Sequence, residues 1–235
     1  PPQAPAMTMT ETSPAARADL SPLLDVRGLQ VAFGDKTVVH GLSYELSPGE
    51  KLALVGESGS GKTLSALALL GLTDGATVGG QAWWAPTHDT QGQATAARDL
   101  LALSERELRG IRGDDIAMVF QEPMTALNPL LTVGEQIAEV VRLKRAVDRR
   151  SAWQRAVDLL RETGIPEPER RAQAYPHQLS GGQRQRAVIA MALACEPQLL
   201  LADEPTTALD VSLRGQILNL LADLQARTGM ALVLI

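Results

Sequence analysis

Four short stretches of this 235-residue chain carry side chains whose types and spacing suit chemistry on a phosphate group. The first is Gly56-Glu57-Ser58-Gly59-Ser60-Gly61-Lys62-Thr63, which fills the pattern G-x-x-x-x-G-K-[ST] between a strand-like apolar run and a helical one. Its glycines let backbone N–H groups turn toward an anion with no Cβ in the way, and a helix N-terminus adds partial positive charge. Lys62 can then reach terminal phosphates, and the Thr63 hydroxyl can take a place on Mg²⁺. The competing reading is a glycine-rich turn that matches by chance, and the strand–loop–helix context argues against it.

The second stretch, Leu199–Pro205, runs apolar into Asp203 and Glu204. Acidic residues at the C-terminal edge of a strand stand where open α/β sheets bind their ligands. Alone they could simply cap a strand; beside a phosphate loop, Asp203 reads as the Mg²⁺-side carboxylate. The third is Gln121, directly after the strand-like Val119-Phe120. An amide at a strand end can ligate Mg²⁺ or orient water through its oxygen, or it is an ordinary polar loop residue. The fourth is Ser180-Gly181-Gly182 ahead of a helical run, a second set of exposed N–H groups suited to an anion, or a plain helix cap.

These residues need a frame to position them. Val26–Phe33 and Gly41–Leu46 predict strands, with Gly34-Asp35 and Pro48-Gly49 as turns. Lys51–Val55 predicts the strand entering the phosphate loop and Lys62–Leu72 the helix leaving it. Asp115–Phe120 and Leu199–Ala202 predict the strands that deliver Gln121 and Asp203. Between them the pattern turns helical, with Thr132 capping Val133–Leu143, Ser151 capping Ala152–Thr163 and Gly164 as a stop. A helix then follows Ser180 to about Cys195, Val211–Thr228 is amphipathic, and Met230–Ile235 begins a last apolar strand. Strand–helix alternation interrupted by a helical block predicts a parallel α/β core with a helical subdomain. The stretch around Trp83 and Trp84 is poorly patterned. Residues 1–22, rich in Pro, Ala, Thr and Ser, hold too few large apolar side chains to offset the entropy of ordering and read as a disordered tail.

Bulk composition sets outer bounds. At 45% hydrophobic and 21% charged the chain is ordinary globular material, and 3% aromatic content leaves the core to Ala, Leu, Val and Ile. A net charge of −5 provides no global basic field to gather nucleic acid. One cysteine allows no internal disulfide. No stretch approaches the ~20 apolar residues that span a bilayer, and no basic-then-apolar leader opens the chain, so a membrane role is expected to run through docking onto other subunits.

Read in order, the phosphate loop, the string FQEPMTALNP around Gln121, LSGGQRQR (Leu179–Arg186), LLLADEP and Ala208-Leu209-Asp210 resemble the ATP-binding cassette (ABC) ATPases. The resemblance runs over nearly everything from Leu23 to Ile235. FQEPMTALNPLLTVGEQI and YPHQLSGGQRQR look most like ATPase subunits of the dipeptide, oligopeptide and nickel importers. It implies a P-loop NTPase (RecA-like) core with a parallel sheet, an antiparallel β subdomain and an inserted α-helical subdomain. On that plan residues 23–121 and 188–235 form the nucleotide-binding core and 122–187 the helical subdomain with the signature motif.

The resemblance also implies Mg²⁺-dependent ATP hydrolysis coupled to uptake of peptides or nickel. Thr63, Gln121 and Asp203 would organise Mg²⁺ directly or through water, and Glu204 would polarise the attacking water. Phe33 occupies the position of an aromatic residue that stacks on adenine, with strand packing as its rival role. Ser180, Gly181, Gly182 and Gln183 would act on ATP held by a second ABC ATPase domain, in a homo- or heterodimer, and Asp210 would cross that interface. Transmembrane permease subunits complete the implied partners, at the cytoplasmic face of the inner membrane and without direct nucleic acid.

Two departures qualify the match. The chain stops at Ile235, within the strand that in the family leads to a switch histidine, and His40, His88 and His177 all lie elsewhere. The cassette therefore reads as C-terminally incomplete, expected to bind ATP and hydrolyse it poorly. The segment Trp83–Asp99 is longer than its counterpart. Arg142, Lys144, Arg145, Arg149 and Arg150 form a basic run that reads as a solvated helical face or a contact for an acidic partner. Cys195 reads as a small buried apolar residue, and His177 as a support for the loop entering the signature helix. The alternatives from other classes are a soluble ABC ATPase acting on nucleic acid or ribosomes and a non-hydrolysing, ATP-dependent assembly module. Against the first, no heptad pattern separates Gln121 from Leu179.

Overall fold

Residues 116–119, 199–202 and 231–234 are apolar at every position, the mark of strands covered on both faces. In chain order the elements are β1 (Thr8–Glu11), β2 (Leu24–Phe33), β3 (Lys36–Leu46), β4 (Lys51–Val55), α1 (Lys62–Leu69), β5 (Thr77–Trp84), β6 (Arg98–Asp99), α2 (Glu105–Ile111), β7 (Ile116–Val119), α3 (Val133–Lys144), α4 (Arg149–Glu162), α5 (Pro168–Ala172), α6 (Gly181–Ala192), β8 (Leu199–Ala202), α7 (Val211–Thr228) and β9 (Ala231–Leu234). This computed structural model describes residues 8–11, 22–87, 96–122, 126–207 and 209–235.

The strands form two sheets, ordered β1-β4-β9-β8-β7 and β3-β2-β5-β6. In the first, β4, β9, β8 and β7 are parallel, and β1 lies antiparallel on the β4 edge. The second is antiparallel throughout. Strand alternation splits the interior in two. Ile116, Leu199, Leu201, Ala231 and Val233 join a core with Leu69 of α1 and the antiparallel sheet. Ala117, Val119, Leu200, Ala202 and Leu232 join another with Ile137, Leu159, Ile189 and Leu221 of the helices. The parallel sheet is thus a wall between a glycine-loop side and a helical side, as the parallel core with antiparallel and helical parts leads one to expect.

Several local expectations change. Thr77–Trp84 is a strand, with Ala82 and Trp84 fully buried beneath β2. Its alternation is broken by Gly79-Gly80, where the backbones meet so closely that a Cβ on Gly80 would lie 2.5 Å from the Gly28 carbonyl oxygen. β3 begins at Lys36, earlier than Gly41, and α1 ends at Leu69. Thr132 does cap α3, in a box with Glu135. The cap of α4 is Asp148, not Ser151: its carboxylate accepts the Arg150 and Ser151 N–H groups at 2.8 and 3.0 Å. The helix starts at Arg149, three residues ahead of the apolar pattern, so the capping position falls on Asp148, and the Ser151 hydroxyl itself donates to Asp148 at 2.8 Å. Within the expected tail, Thr8–Glu11 pairs with β4, whose edge otherwise presents unpaired N–H and C=O groups.

The basic run is not a uniform solvated face. The Lys144 ammonium lies 3.1 Å from Asp114 and donates to the Arg109 carbonyl at 2.7 Å. Arg145 sits 3.3 Å from Asp114 and donates to the Cys195 carbonyl at 2.6 Å. The last turn of α3 is therefore fastened to the loop before β7, while Arg142, Arg149 and Arg150 are exposed.

Candidate active site

β4 ends at Val55 and α1 starts at Lys62, so the loop between them delivers its N–H groups to the helix N-terminus. Gly61 caps α1 with φ 88 and no side chain takes the first-turn N–H groups, which leaves them for an external anion. A Cβ on Gly61 would stand 2.8 Å from Val39 Cγ2 and 3.0 Å from the Val38 oxygen, so the loop lies hard against β3. The Lys62 ammonium donates to the Gly56 and Glu57 carbonyls at 2.8 Å each, bridging the loop's first turn. Ser60 is buried, and its hydroxyl has no partner among the described residues.

β8 places the two acids by continuing its ladder on both sides. The Asp203 N–H donates to the Val119 carbonyl at 2.9 Å, and the Glu204 N–H to the Ile235 carbonyl at 3.0 Å. Asp203 is only 2% exposed, and Thr63 Oγ1 donates to its Oδ1 at 3.0 Å. Burial pushes the Asp203 carboxyl above its ordinary range; the Thr63 hydrogen bond opposes this, the Glu204 charge adds to it, and Lys62 opposes it.

Such a carboxyl holds its proton more tightly when folded than when unfolded. Its contribution to stability is therefore most favourable at low pH and becomes a penalty as pH rises from the ordinary 3.8 through the raised folded value. Asp203→Asn removes that penalty. In nucleotide-free protein at neutral pH the variant is expected to melt higher than wild type in a calorimetric scan, while losing any Mg²⁺ dependence of nucleotide binding. A lower Tm would show that the charged form is stabilised.

The Thr63 hydroxyl and Asp203 carboxylate present two hard oxygens side by side. Among the described residues no cluster of three or more His, Cys, Asp or Glu side chains could cage an ion. The pair fits Mg²⁺, which takes one or two protein oxygens and fills its octahedron with phosphate oxygens and water.

Glu204 sits in the left-handed region at φ 43. Gln121 Nε2 donates to its Oε2 at 3.0 Å, and Thr207 Oγ1 donates to the same oxygen at 2.8 Å. A carboxylate only accepts, so the amide nitrogen of Gln121 must face it. Gln121 thus stands with Glu204, and among the described residues no hydrogen bond links it to the Thr63–Asp203 pair. Thr207 was not legible as a site residue, although a hydroxyl three positions after an acid in a Pro-containing turn is a usable signal.

The remaining expected residues lie apart. Phe33 ends β2 opposite Lys36 and is 39% exposed, so strand-core packing does not account for it. Ser180 caps α6: its Oγ accepts the Gln183 N–H at 3.3 Å, and Gln183 Oε1 accepts the Ser180 N–H at 3.1 Å. Gly182 leaves room for α7, since a Cβ there would come within 3.1 Å of Leu213. Asp210 caps α7, accepting the Ser212 hydroxyl at 2.7 Å and the Leu213 N–H at 3.1 Å, and these donors hold its carboxyl low. Among the described residues no hydrogen bond joins Phe33, Ser180–Gln183 or Asp210 to the group around Lys62, Thr63, Asp203, Glu204 and Gln121. Ala208 and residues 123–125 of the two flanking motifs, and His88, fall outside the described residues. His177 stacks on Tyr175 at 5.7 Å, and Cys195 is buried, which raises its thiol.

Residues 39–207 match the family model described as ABC transporter. The chain is 50% identical over 218 residues to the peptidoglycan transport ATP-binding protein YejF of Agrobacterium fabrum, covering 91% of this chain and 38% of that protein. It is 49% identical to the dipeptide transport ATP-binding protein DppD of Escherichia coli, over 91% of this chain and 64% of the relative. Thus the chain spans less than two thirds of the length of either. Among solved structures, the dimeric post-hydrolysis state of the ATP-binding cassette MJ0796 bound to ADP and Pi superimposes with a TM-score of 0.70 at 29% identity, over 90% of this chain and 86% of that one.

Proposed function

The chain belongs to the ABC transporter family, and from that premise we propose that it binds and hydrolyses ATP to energise an importer of peptides or nickel. The observation that carries the reading is the placement of two adjacent acids on separate partners: Asp203 on the Thr63 hydroxyl, Glu204 on the Gln121 amide. One suits a cation beside the phosphates, the other a water in line with the terminal phosphate. Phosphoryl transfer asks for this kind of positioning and charge stabilisation more than for covalent chemistry.

When nucleotide enters, the loop N–H groups and Lys62 take its phosphates, and Lys62 exchanges two carbonyls for phosphate oxygens. Thr63 and Asp203 would hold Mg²⁺, which would supply positive charge beside the phosphates. Glu204 accepts a hydrogen bond from the attacking water. Phe33, exposed at the strand end, offers a face for the adenine. Ser180–Gln183 and Asp210, remote from this group in hydrogen bonding, act across an interface with a second ATPase domain; the dimeric MJ0796 cassette supports that arrangement.

Coupling to transport runs, on this reading, through permease subunits at the cytoplasmic face; among the described residues no helix is long and apolar enough to cross a membrane. The surface that suits them is an apolar groove of about 400 Å³ between the end of α1, β7, α3 and α6, lined by Leu72, Phe120, Val140, Leu143 and Met191. Leu143, 77% exposed, and Phe120, 43% exposed, can give up water there on docking. Co-expressed with its membrane subunits, the chain is expected to co-purify with them, and Leu143→Glu to cut recovery about tenfold, the effect of one buried charge at an interface, with Mg-ATP affinity unchanged. Recovery with ribosomes or DNA instead would overturn the assignment.

A further inference from the structure

The geometry assigns Thr207 as a positioning residue for the Glu204 carboxylate, acting jointly with Gln121. The inference rests on the proposed hydrolytic role of Glu204 and goes beyond it by naming what aims that side chain. Three observations converge. Both donors meet one oxygen: Thr207 Oγ1 at 2.8 Å and Gln121 Nε2 at 3.0 Å from Oε2. Among the described residues nothing donates to Oε1, which is left for water. The backbone is wound to make this possible, with Glu204 at φ 43, Pro205 buried, and the Thr207 N–H donating to the Glu204 carbonyl at 3.1 Å. A non-glycine residue in the left-handed region persists only where its surroundings hold it there, and such strain gathers at working sites.

Thr207 itself is exposed, so its side chain has no core to fill. Its hydroxyl is joined to one described acceptor, the acid it sits above. A glutamate side chain has three rotatable bonds, and a single donor on a half-buried carboxylate would let it swing. Two donors on one oxygen, one on the strand-end Gln121 and one on the turn after β8, restrain the carboxylate's rotation and leave Oε1 as the acceptor that no described residue occupies. The pair also spans the two strand ends, so a displacement of either reaches the carboxylate directly.

The test compares Thr207→Val, which keeps the shape and removes the hydroxyl, with Thr207→Ser, which restores it. In steady-state hydrolysis by the full chain, T207V is expected to lower kcat about tenfold, the scale of one lost charge-assisted hydrogen bond, with Mg-ATP affinity and Tm held and T207S recovering turnover. A second measurement is independent of turnover. In nucleotide-free protein, the Gln121 side-chain amide resonances, assigned by their loss in Gln121→Ala, shift in T207V and stay in place in T207S. Unshifted Gln121 resonances in T207V, or equal kcat in T207V and wild type, would overturn the assignment. A wild-type chain that neither binds nor hydrolyses Mg-ATP sinks the functional reading instead, and the resonances still decide whether Thr207 and Gln121 share the carboxylate.

Discussion

Lys62→Ala is expected to weaken Mg-ATP binding by about 100- to 1,000-fold in a calorimetric titration. The ammonium already occupies the loop's mouth, bonded to the Gly56 and Glu57 carbonyls. Nucleotide binding exchanges those neutral acceptors for anionic oxygens, and two charge-assisted hydrogen bonds of ~1.5–3 kcal/mol each account for the loss. The loop backbone has its own supports, the Gly61 contact with β3 and the Ser65 N–H on the Gly61 carbonyl at 2.8 Å, so the variant keeps a folded but weakly attracting cradle. Binding of unchanged affinity would remove the loop from its assigned task.

Glu204→Gln is expected to give the opposite profile: affinity retained, turnover down by about 10²- to 10⁴-fold, the usual worth of a positioned general base. The amide oxygen of glutamine can still accept from Gln121 Nε2 and Thr207 Oγ1, so the geometry survives while the stronger acceptor is gone. With hydrolysis stalled and ATP held, a nucleotide-dependent dimer accumulates, visible as doubled mass in light scattering with Mg-ATP but not Mg-ADP. Normal turnover in this variant would show that another group activates the water. The two substitutions separate holding the phosphates from breaking the bond.

What could be read from residue types was the local chemistry. Gly56–Thr63 announces itself because glycine, lysine and threonine at fixed spacing do one job on one backbone, and Thr132 announces α3 because its box with Glu135 is contained in four residues. The strands delivering Gln121 and Asp203 were legible because continuous apolar runs have few other fates. What escaped depends on partners distant in sequence. Thr77–Trp84 was obscured because Gly79-Gly80 is there for the Gly28 backbone, not for its own strand. Asp148 was passed over because Ser151 sits nearer the apolar pattern, although Ser104–Glu107 and Asp148–Ser151 both advertise helix starts in composition alone. The division of labour at Glu204, with Gln121 83 positions away on one side and Thr207 on the other, exists only after folding.

The fastening of Lys144 and Arg145 to Asp114 has a mechanical consequence. Asp114 lies just ahead of β7, whose other end leads to Gln121, and α3 runs from that fastened end back toward the residues that follow Gln121. A helix of 12 residues is ~18 Å long, so a rigid tilt of roughly 10° about the pinned end carries the far end through about 3 Å. That is the length of one hydrogen bond. The contacts at that far end, the Val133 N–H on the Ala174 carbonyl at 2.9 Å and Gln136 on Asn128, are the ones such a tilt would have to break.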